Sequence, residues 1–284
     1  MIKLIVSDMD GTFLNPKGAY DKERFQKLLD KMTEKGISFV VASGNRMDRL
    51  NAIFSGISGN IDFVAENGAL VIDHGEVIAR ESMSEEQVNA VLDFFDGKFQ
   101  DYRIVLSGID SAYVMTGTDF DMEAFDFELE DVQQFFKNMV QVDDFHKRPA
   151  DPIVKITMTV SEKSAKKVTK RFNRAFKGEL RAVASGYGAV DIIRTGIHKA
   201  WGVQTLMSKH GIKPEEVAAF GDGGNDREML ELAGHSYAVA NASDEIKKVA
   251  RYIIQSNARD GVLNAIENIL ERGTEAVVGK ICCA

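Results

Sequence analysis

Asp8 and Asp10, in the stretch Leu4-Ile5-Val6-Ser7-Asp8-Met9-Asp10-Gly11-Thr12, are the residues whose types and spacing point most directly to chemistry. Two carboxylates two positions apart project from the same side of an extended segment. Their repulsion is costly unless a cation or a shared proton relieves it. The apolar, β-branched run before them reads as a buried strand, so both acids sit just past a strand end, where open α/β sheets carry their sites. An Asp-x-Asp in that place suits Mg²⁺-assisted phosphoryl transfer through an aspartyl nucleophile. The alternative is a plain turn, since Asp and Gly are common turn formers.

Three further clusters stand at strand ends or helix starts. Ser43-Gly44 combines a hydroxyl, an unhindered amide and a helix N-terminus, which together make an anion site, although Ser-Gly is also an ordinary helix cap. Lys199 opens a helix after Gly196-Ile197-His198. By itself it would be a solvated charge; beside a phosphate its compact ammonium neutralises. Gly221-Asp222-Gly223-Gly224-Asn225-Asp226 groups two carboxylates and an amide in a tight turn. These are hard oxygen donors suited to Mg²⁺, or else a polar loop capping the next helix with Asp226 at its positive end. The five histidines, His74, His146, His198, His210 and His235, show no ligand spacing and are expected in surface or packing roles. Cys282 and Cys283 are adjacent, which excludes a disulfide framework and Cys-x-x-Cys metal spacing.

Positioning these groups requires strands that alternate with helices. Asp21 to Glu34 carries Phe25, Leu28, Leu29 and Met32 at helical spacing, and Gly36 ends the pattern. Strands are expected at residues 37–42 and 63–65, a helix at 46–54, and a hairpin at 70–80 turning at His74-Gly75. This β-α-β-α-β succession implies a parallel sheet covered by helices. Between about Ser82 and Gly186 the regular alternation is lost. Helices near 85–95 and 123–139 mix with short strands near 111–115 and 153–160, as in a separate α+β domain. The acidic stretch from Asp119 to Asp131 reads as a solvated helix face. The parallel pattern is expected to resume near Val190, with a helix at 198–210, a strand at 217–220 and a last strand at 237–240. The expected organisation is a doubly wound α/β core, 1–82 and 188–284, with an inserted cap at 83–187. Linkers near Ser82 and at Gly186–Gly188 would act as hinges. Ser185-Gly186-Tyr187-Gly188 serves either as that hinge or as a sugar contact.

The bulk properties agree with a soluble, cytoplasmic enzyme of two domains: 284 residues, 44% hydrophobic and 27% charged. A net charge of −8 argues against nucleic-acid or anionic-membrane partners, so positive charge for a phosphate must be concentrated locally. A strand at the N-terminus leaves no room for a signal peptide, and no apolar run approaches the ~20 residues that cross a membrane.

Taken in order, Asp8-Met9-Asp10-Gly11-Thr12, Ser43, Lys199 and the 221–226 loop resemble the four motifs of the haloacid dehalogenase superfamily. The insertion between the second and third motifs resembles the α/β (C2B) cap of its Cof-type, or IIB, branch. Glu66-Asn67-Gly68-Ala69 and Ile197-His198-Lys199-Ala200 are similar to further signatures of that branch, and 40–45, 63–70 and 185–191 are similar to SupH-like sugar phosphatases. The resemblance implies a Rossmann-like core and a Mg²⁺-dependent phosphatase acting on a small phosphate ester, a sugar phosphate, as a monomer or weak homo-oligomer. It implies Asp8 as nucleophile and Mg²⁺ ligand. Asp10 would be the acid/base, with its main-chain carbonyl on the metal. Ser43, Lys199 and the amides of Met9 and Gly44 would hold the phosphoryl group. Asp222 would be the second carboxylate on Mg²⁺, with Asn225 near the phosphate and Asp226 supporting the loop. Many Cof-type relatives have arginine directly after the Ser/Thr-Gly pair, where this chain has Asn45 and then Arg46. Asp10 favours a phosphatase over ATPases and phosphonatases, which carry Thr or Ala there. The alternatives are a sugar phosphomutase or a non-catalytic phosphosugar-binding protein, for which a catalytic acid would be idle.

Overall fold

The computed structural model describes residues 1–120, 139–186 and 188–273. Tyr187, Cys282, Cys283 and all but the last residue of the helix expected at 123–139 lie outside the described residues, as does most of the acidic stretch.

The chain begins as β1 (Leu4–Ser7), α1 (Lys22–Glu34), β2 (Ser38–Ala42), α2 (Met47–Ile53), β3 (Asp62–Ala65), β4 (Leu70–Asp73) and β5 (Glu76–Arg80). An insertion follows, with α3 (Glu85–Phe94), β6 (Val105–Gly108), β7 (Ala112–Met115), β8 (Val140–Val142), β9 (Ile153–Thr159), α4 (Glu162–Ala175), β10 (Leu180–Gly186) and β11 (Ala189–Arg194). It returns through α5 (Lys199–His210), β12 (Val217–Gly221), α6 (Arg227–Leu232), β13 (His235–Val239), α7 (Asp244–Val249), β14 (Tyr252–Ile254) and α8 (Gly261–Arg272).

The first unit comprises 1–80 and 199–284. Its sheet has the order β14-β13-β12-β1-β2-β3-β4-β5, parallel from β14 to β3 and antiparallel through the β4–β5 hairpin. β1 and β12 are buried along their whole length, which is why both read as unbroken apolar runs. The next strand in sequence lies on one side of β1 and the returning β12 on the other, so the strand order reverses there, the position at which doubly wound sheets bind ligands. Register completes the placement. Ser7 pairs with both Val41 and Phe220, so Asp8, Ser43 and Asp222 leave the same edge of the sheet within two residues of that row. Asp21 caps α1 by accepting the Arg24 amide at 2.9 Å, and the buried face of the helix is the expected Phe25, Leu28, Leu29 and Met32.

The second unit is 81–198, a six-stranded sheet in the order β10-β11-β9-β6-β7-β8 with its own apolar core, in which Val88 and Leu92 of α3 and Phe172 of α4 pack with Ile156 and Ile192. Two expectations need correction. Val190 does not restart the parallel core: β11 pairs antiparallel with β10 and β9, so 188–198 belongs with the insertion. Gly188 (φ +77°) accordingly turns the β10–β11 hairpin, its carbonyl held by the Val160 amide at 3.0 Å, and is not the point of return. β13 is also not the last strand, because the three-residue β14 extends the sheet beyond it. So short a run carries no usable alternation.

α5 lies close on β3 because residue 202 is glycine: a Cβ there would overlap Val64 Cγ1 on the buried strand. Gly202→Ala should gain up to ~1 kcal/mol of helix propensity but cost about 1–3 kcal/mol in displaced packing. We expect a lower urea midpoint at unchanged slope; a more stable variant would contradict the close approach.

Candidate active site

The turn after β1 is held by several independent tethers. The Asp8 amide donates to Phe220 O at 3.0 Å, and Leu14 N to Met9 O at 2.9 Å closes the turn. Gly11 has φ +82°, and a Cβ on it would meet Asp222 Oδ2 at 2.7 Å, so both its conformation and its lack of side chain let Asp222 approach. From the far side, Asn241 Nδ2 donates to Gly11 O at 2.7 Å; Asn257 donates its amide to Asn241 Oδ1 and its Nδ2 to Leu14 O. Asn241 marked only a strand end in the sequence, and Asn257 carried no signal.

Lys199, the first residue of α5, is fully buried, with Nζ 2.5 Å from Asp8 Oδ1 and 2.6 Å from Asp226 Oδ1. An ammonium loses its hydration there and is tolerable only when paired. Burial pulls its pKa down, but the charges of Asp226 and Asp8 more than offset this and raise it, so it stays charged. Asp226 Oδ2 accepts the amides of Asp222 and Gly223, both at 2.9 Å. One buried carboxylate thus ties the 221–226 turn to the lysine.

Asp222 accepts a hydrogen bond from Thr12 Oγ1 at 2.7 Å, a role that the motif did not specify. Burial, then the nearby Asp226 charge, push Asp222 up to about 6. Asp8 is raised well above its ordinary value by burial and by Asp226 and Asp222, against the pull of Lys199. Asp8, Asp222 and Asp226 each offer an oxygen within 4.8 Å of the others. Asp226 is committed to Lys199 and two amides, which leaves Asp8 and Asp222 as two crowded hard-oxygen donors whose raised pKa values mark unmet negative charge. That donor set fits Mg²⁺.

Ser43 is buried after β2; its Oγ accepts the Asn45 amide at 3.1 Å and its carbonyl the Asn67 amide at 2.9 Å. Asn67, in left-handed backbone at φ +56°, accepts from Asn225 Nδ2 at 3.0 Å, so the second and fourth motifs are linked through a residue of the 66–69 loop. Met9 and Gly44 lie in the turns directly after Asp8 and Ser43.

Asp10 belongs to a separate set. Arg49 Nη2 donates to its Oδ1 at 2.7 Å, Arg49 Nη1 to its Oδ2 at 3.2 Å, and Asn45 Nδ2 to Oδ2 at 2.7 Å. Burial would raise the Asp10 pKa, yet Arg49 and Asn45 outweigh it and lower the value, so the carboxyl is ionised here. The arginine at this acid is therefore Arg49, while Arg46 Nε lies 3.5 Å from Asp48. No spacing rule pointed to it: Asn45 lies before α2 and Arg49 in its first turn, and the fold brings both to Asp10. Arg49 Nη1 also donates to Asn45 Oδ1 at 2.5 Å.

A doubly wound core with an aspartyl pair, a paired buried lysine and an acidic turn at one sheet edge is the arrangement of a phosphoryl-transfer enzyme. The chain belongs to the haloacid dehalogenase-like hydrolase family, whose model matches residues 5–266. It is of the Cof-type branch, and it is a phosphoric monoester hydrolase. It is 36% identical to the 5-amino-6-(5-phospho-D-ribitylamino)uracil phosphatase YbjI of Escherichia coli, over 95% of this chain and 97% of that one. A phosphoglycolate phosphatase of Methanococcoides burtonii is 26% identical, over 96% of this chain and 99% of its own. The crystal structure of SMU.1108c from Streptococcus mutans superposes with a TM-score of 0.85 at 36% identity, over 95% and 99% of the two chains.

The acidic pair makes stability depend on metal and pH together. Asp222 has its folded pKa raised above its unfolded value, so the metal-free protein binds the extra proton and loses stability as pH rises from about 4 to about 6. Mg²⁺ held by the same oxygens would compete with that proton. Its stabilisation should be small near pH 5 and larger near pH 7.5, read as the difference in Tm between Mg²⁺ and chelator. Equal shifts at both pH values would contradict the donor set.

Proposed function

We propose that this protein is a Mg²⁺-dependent phosphatase that hydrolyses a small phosphorylated sugar or sugar alcohol through an aspartyl-phosphate intermediate. The observation that carries the reading is the Lys199 ammonium held against Asp8 by buried Asp226, with a second carboxylate, Asp10, two residues from the nucleophile. Asp8 attacks phosphorus, the P–O ester bond breaks, and the ester oxygen leaves with its electron pair. Lys199, the Ser43 hydroxyl and the amides of Met9 and Gly44 surround the transferring group and offset its charge, which is most of what phosphoryl transfer asks of a protein. Asn225 is held beside them by Asn67.

Asp10 first protonates the leaving alkoxide and then takes a proton from the water that cleaves the acyl phosphate, regenerating Asp8. The contacts of Arg49 and Asn45 hold Asp10 in the form needed for the second half. The first half requires that this hold loosen so that Asp10 takes up a proton. Asp8, Asp222 and the main-chain carbonyl of Asp10 would hold Mg²⁺, which when bound supplies charge neutralisation between carboxylates and phosphate.

The inserted unit, 81–198, is the part assigned to select the leaving alcohol. The substrate for which the 36% identical Escherichia coli relative is named, a phosphate on a ribityl chain, supports a polyhydroxylated leaving group. The net charge of −8 disfavours nucleic acid and anionic membranes as partners, and among the described residues no helix is long and apolar enough to cross a membrane.

Asp8→Asn, a near-isosteric change that relieves repulsion, should fold and lose turnover. Substantial phosphatase activity in the purified variant would overturn the nucleophile assignment. Asp10→Asn should lower kcat about 10²–10⁴-fold on a sugar phosphate and much less on an aryl phosphate, whose leaving group needs no proton. Inorganic phosphate released from a panel of pentose, hexose and pentitol phosphates, without a bisphosphate activator, separates hydrolysis from mutase chemistry. A preference for phosphoglycolate over the whole panel would overturn the sugar assignment.

A further inference from the structure

The sequence places its histidines without pattern, yet the fold gathers two of them around a buried carboxylate. Asp73 ends β4, and His74 occupies the β4–β5 turn with φ +51°, followed by Gly75 at φ +80°. His210 is the last residue of α5. Asp73 Oδ1 lies 2.9 Å from His74 Nδ1 and 3.0 Å from His210 Nε2, and the three donor atoms are all within 4.8 Å of one another. We propose that Asp73, His74 and His210 form a second metal site, one for a Zn²⁺-class cation, separate from the catalytic carboxylates.

Position makes the two sites independent. β4 runs antiparallel to β3, with Phe63 opposite Ile72, so Asp73 lies at the edge where the parallel strands begin, opposite the ends that carry Asp8 and Asp222. α5 connects the two: Lys199 opens it and His210 closes it, 12 residues or about 18 Å of helix.

The donor chemistry differs as well. Two imidazole nitrogens and one carboxylate oxygen suit Zn²⁺ and its neighbours in the transition series, whereas Mg²⁺ prefers oxygen alone. Four-coordinate Zn²⁺ holds such donors at about 2.0–2.1 Å, which puts them about 3.3 Å apart. Two of the three separations here are within a few tenths of an ångström of that spacing. The side chains of His74 and His210 are 61% and 38% exposed while Asp73 is buried, so a cation has an entry path and a fourth position for water.

The surrounding charges permit it. Lys209 Nζ is 2.5 Å from Asp73 Oδ2, which leaves Oδ1 as a monodentate ligand. Asp62, buried at the start of β3, has Oδ1 3.7 Å from His74 Nδ1 and accepts the His74 amide at 2.8 Å and Asn60 Nδ2 at 2.9 Å. With both imidazoles neutral, Asp62, Asp73 and Lys209 sum to −1, and the helix C-terminus adds negative potential. Protons compete for the site, because the Asp73 hydrogen bond raises the His74 pKa. A bound cation would fasten the hairpin to the end of the helix that carries Lys199.

The probe is Co²⁺, added to full-length protein saturated with Mg²⁺ at about pH 8, above the imidazole range. The expected result is the visible absorption of a four-coordinate, nitrogen-ligated ion at one equivalent, displaced by Zn²⁺. His74→Asn, which suits the turn, and His210→Gln should each weaken Co²⁺ binding by about a hundredfold. Both should keep Mg²⁺-dependent phosphate-ester hydrolysis, which separates loss of the site from loss of the fold. Lack of that absorption in the wild-type protein, or its persistence at full affinity in both variants, would overturn the site whatever the fate of the phosphatase reading.

Discussion

The buried contact of Lys199 with Asp8 and Asp226 is the interaction on which the rest of the catalytic region depends. Three charged groups without water are stable only together: the lysine lacks hydration, and each carboxylate needs a paired cation or hydrogen-bond donors. Asp226 converts this electrostatic need into geometry by also holding the amides of Asp222 and Gly223. Asp222 is thereby presented to Asp8, and the close approach of the two acids is possible because Gly11 has no side chain. The price of that crowding appears as raised pKa values for Asp8 and Asp222 in the metal-free protein.

Two carboxylates, eight and ten residues from the start of the chain, are tuned in opposite directions. Asp8 is crowded by acids and raised, whereas Asp10 is held by Arg49 and Asn45 and lowered. Groups whose environments push their pKa values apart are suited to different tasks, which is the division that the proposed mechanism asks of Asp8 and Asp10. The turn between β2 and α2 has two contacts of its own: the Ser43 carbonyl accepts the Asn67 amide, and Asn45, with Arg49 of α2, holds Asp10.

α5 links the chemistry of the core to its far edge. Its first residue is the catalytic-site lysine, its fourth, Gly202, permits close packing on β3, and its last, His210, reaches the Asp73 carboxylate.

The sequence by itself determined the parallel core, the strand ends that carry chemistry, and the residue types at each. Buried strands are apolar throughout, and a motif directly after one must leave the sheet at its carboxyl edge. Those are local, covalent consequences, and they sufficed to place Asp8, Ser43 and Asp222 at one edge of the sheet. What only the tertiary structure decided were the partners that meet across long separations. Thr12 reaches Asp222, Asn67 reaches Asn225, Asn241 reaches Gly11, and His210 joins Asp73 and His74. β11 likewise joined the inserted sheet because its antiparallel partners β9 and β10 lie there, although its own residues would suit either sheet. Periodicity records which face of an element is buried; strand register and helix placement decide what that face meets, and neither is written in the spacing of one segment.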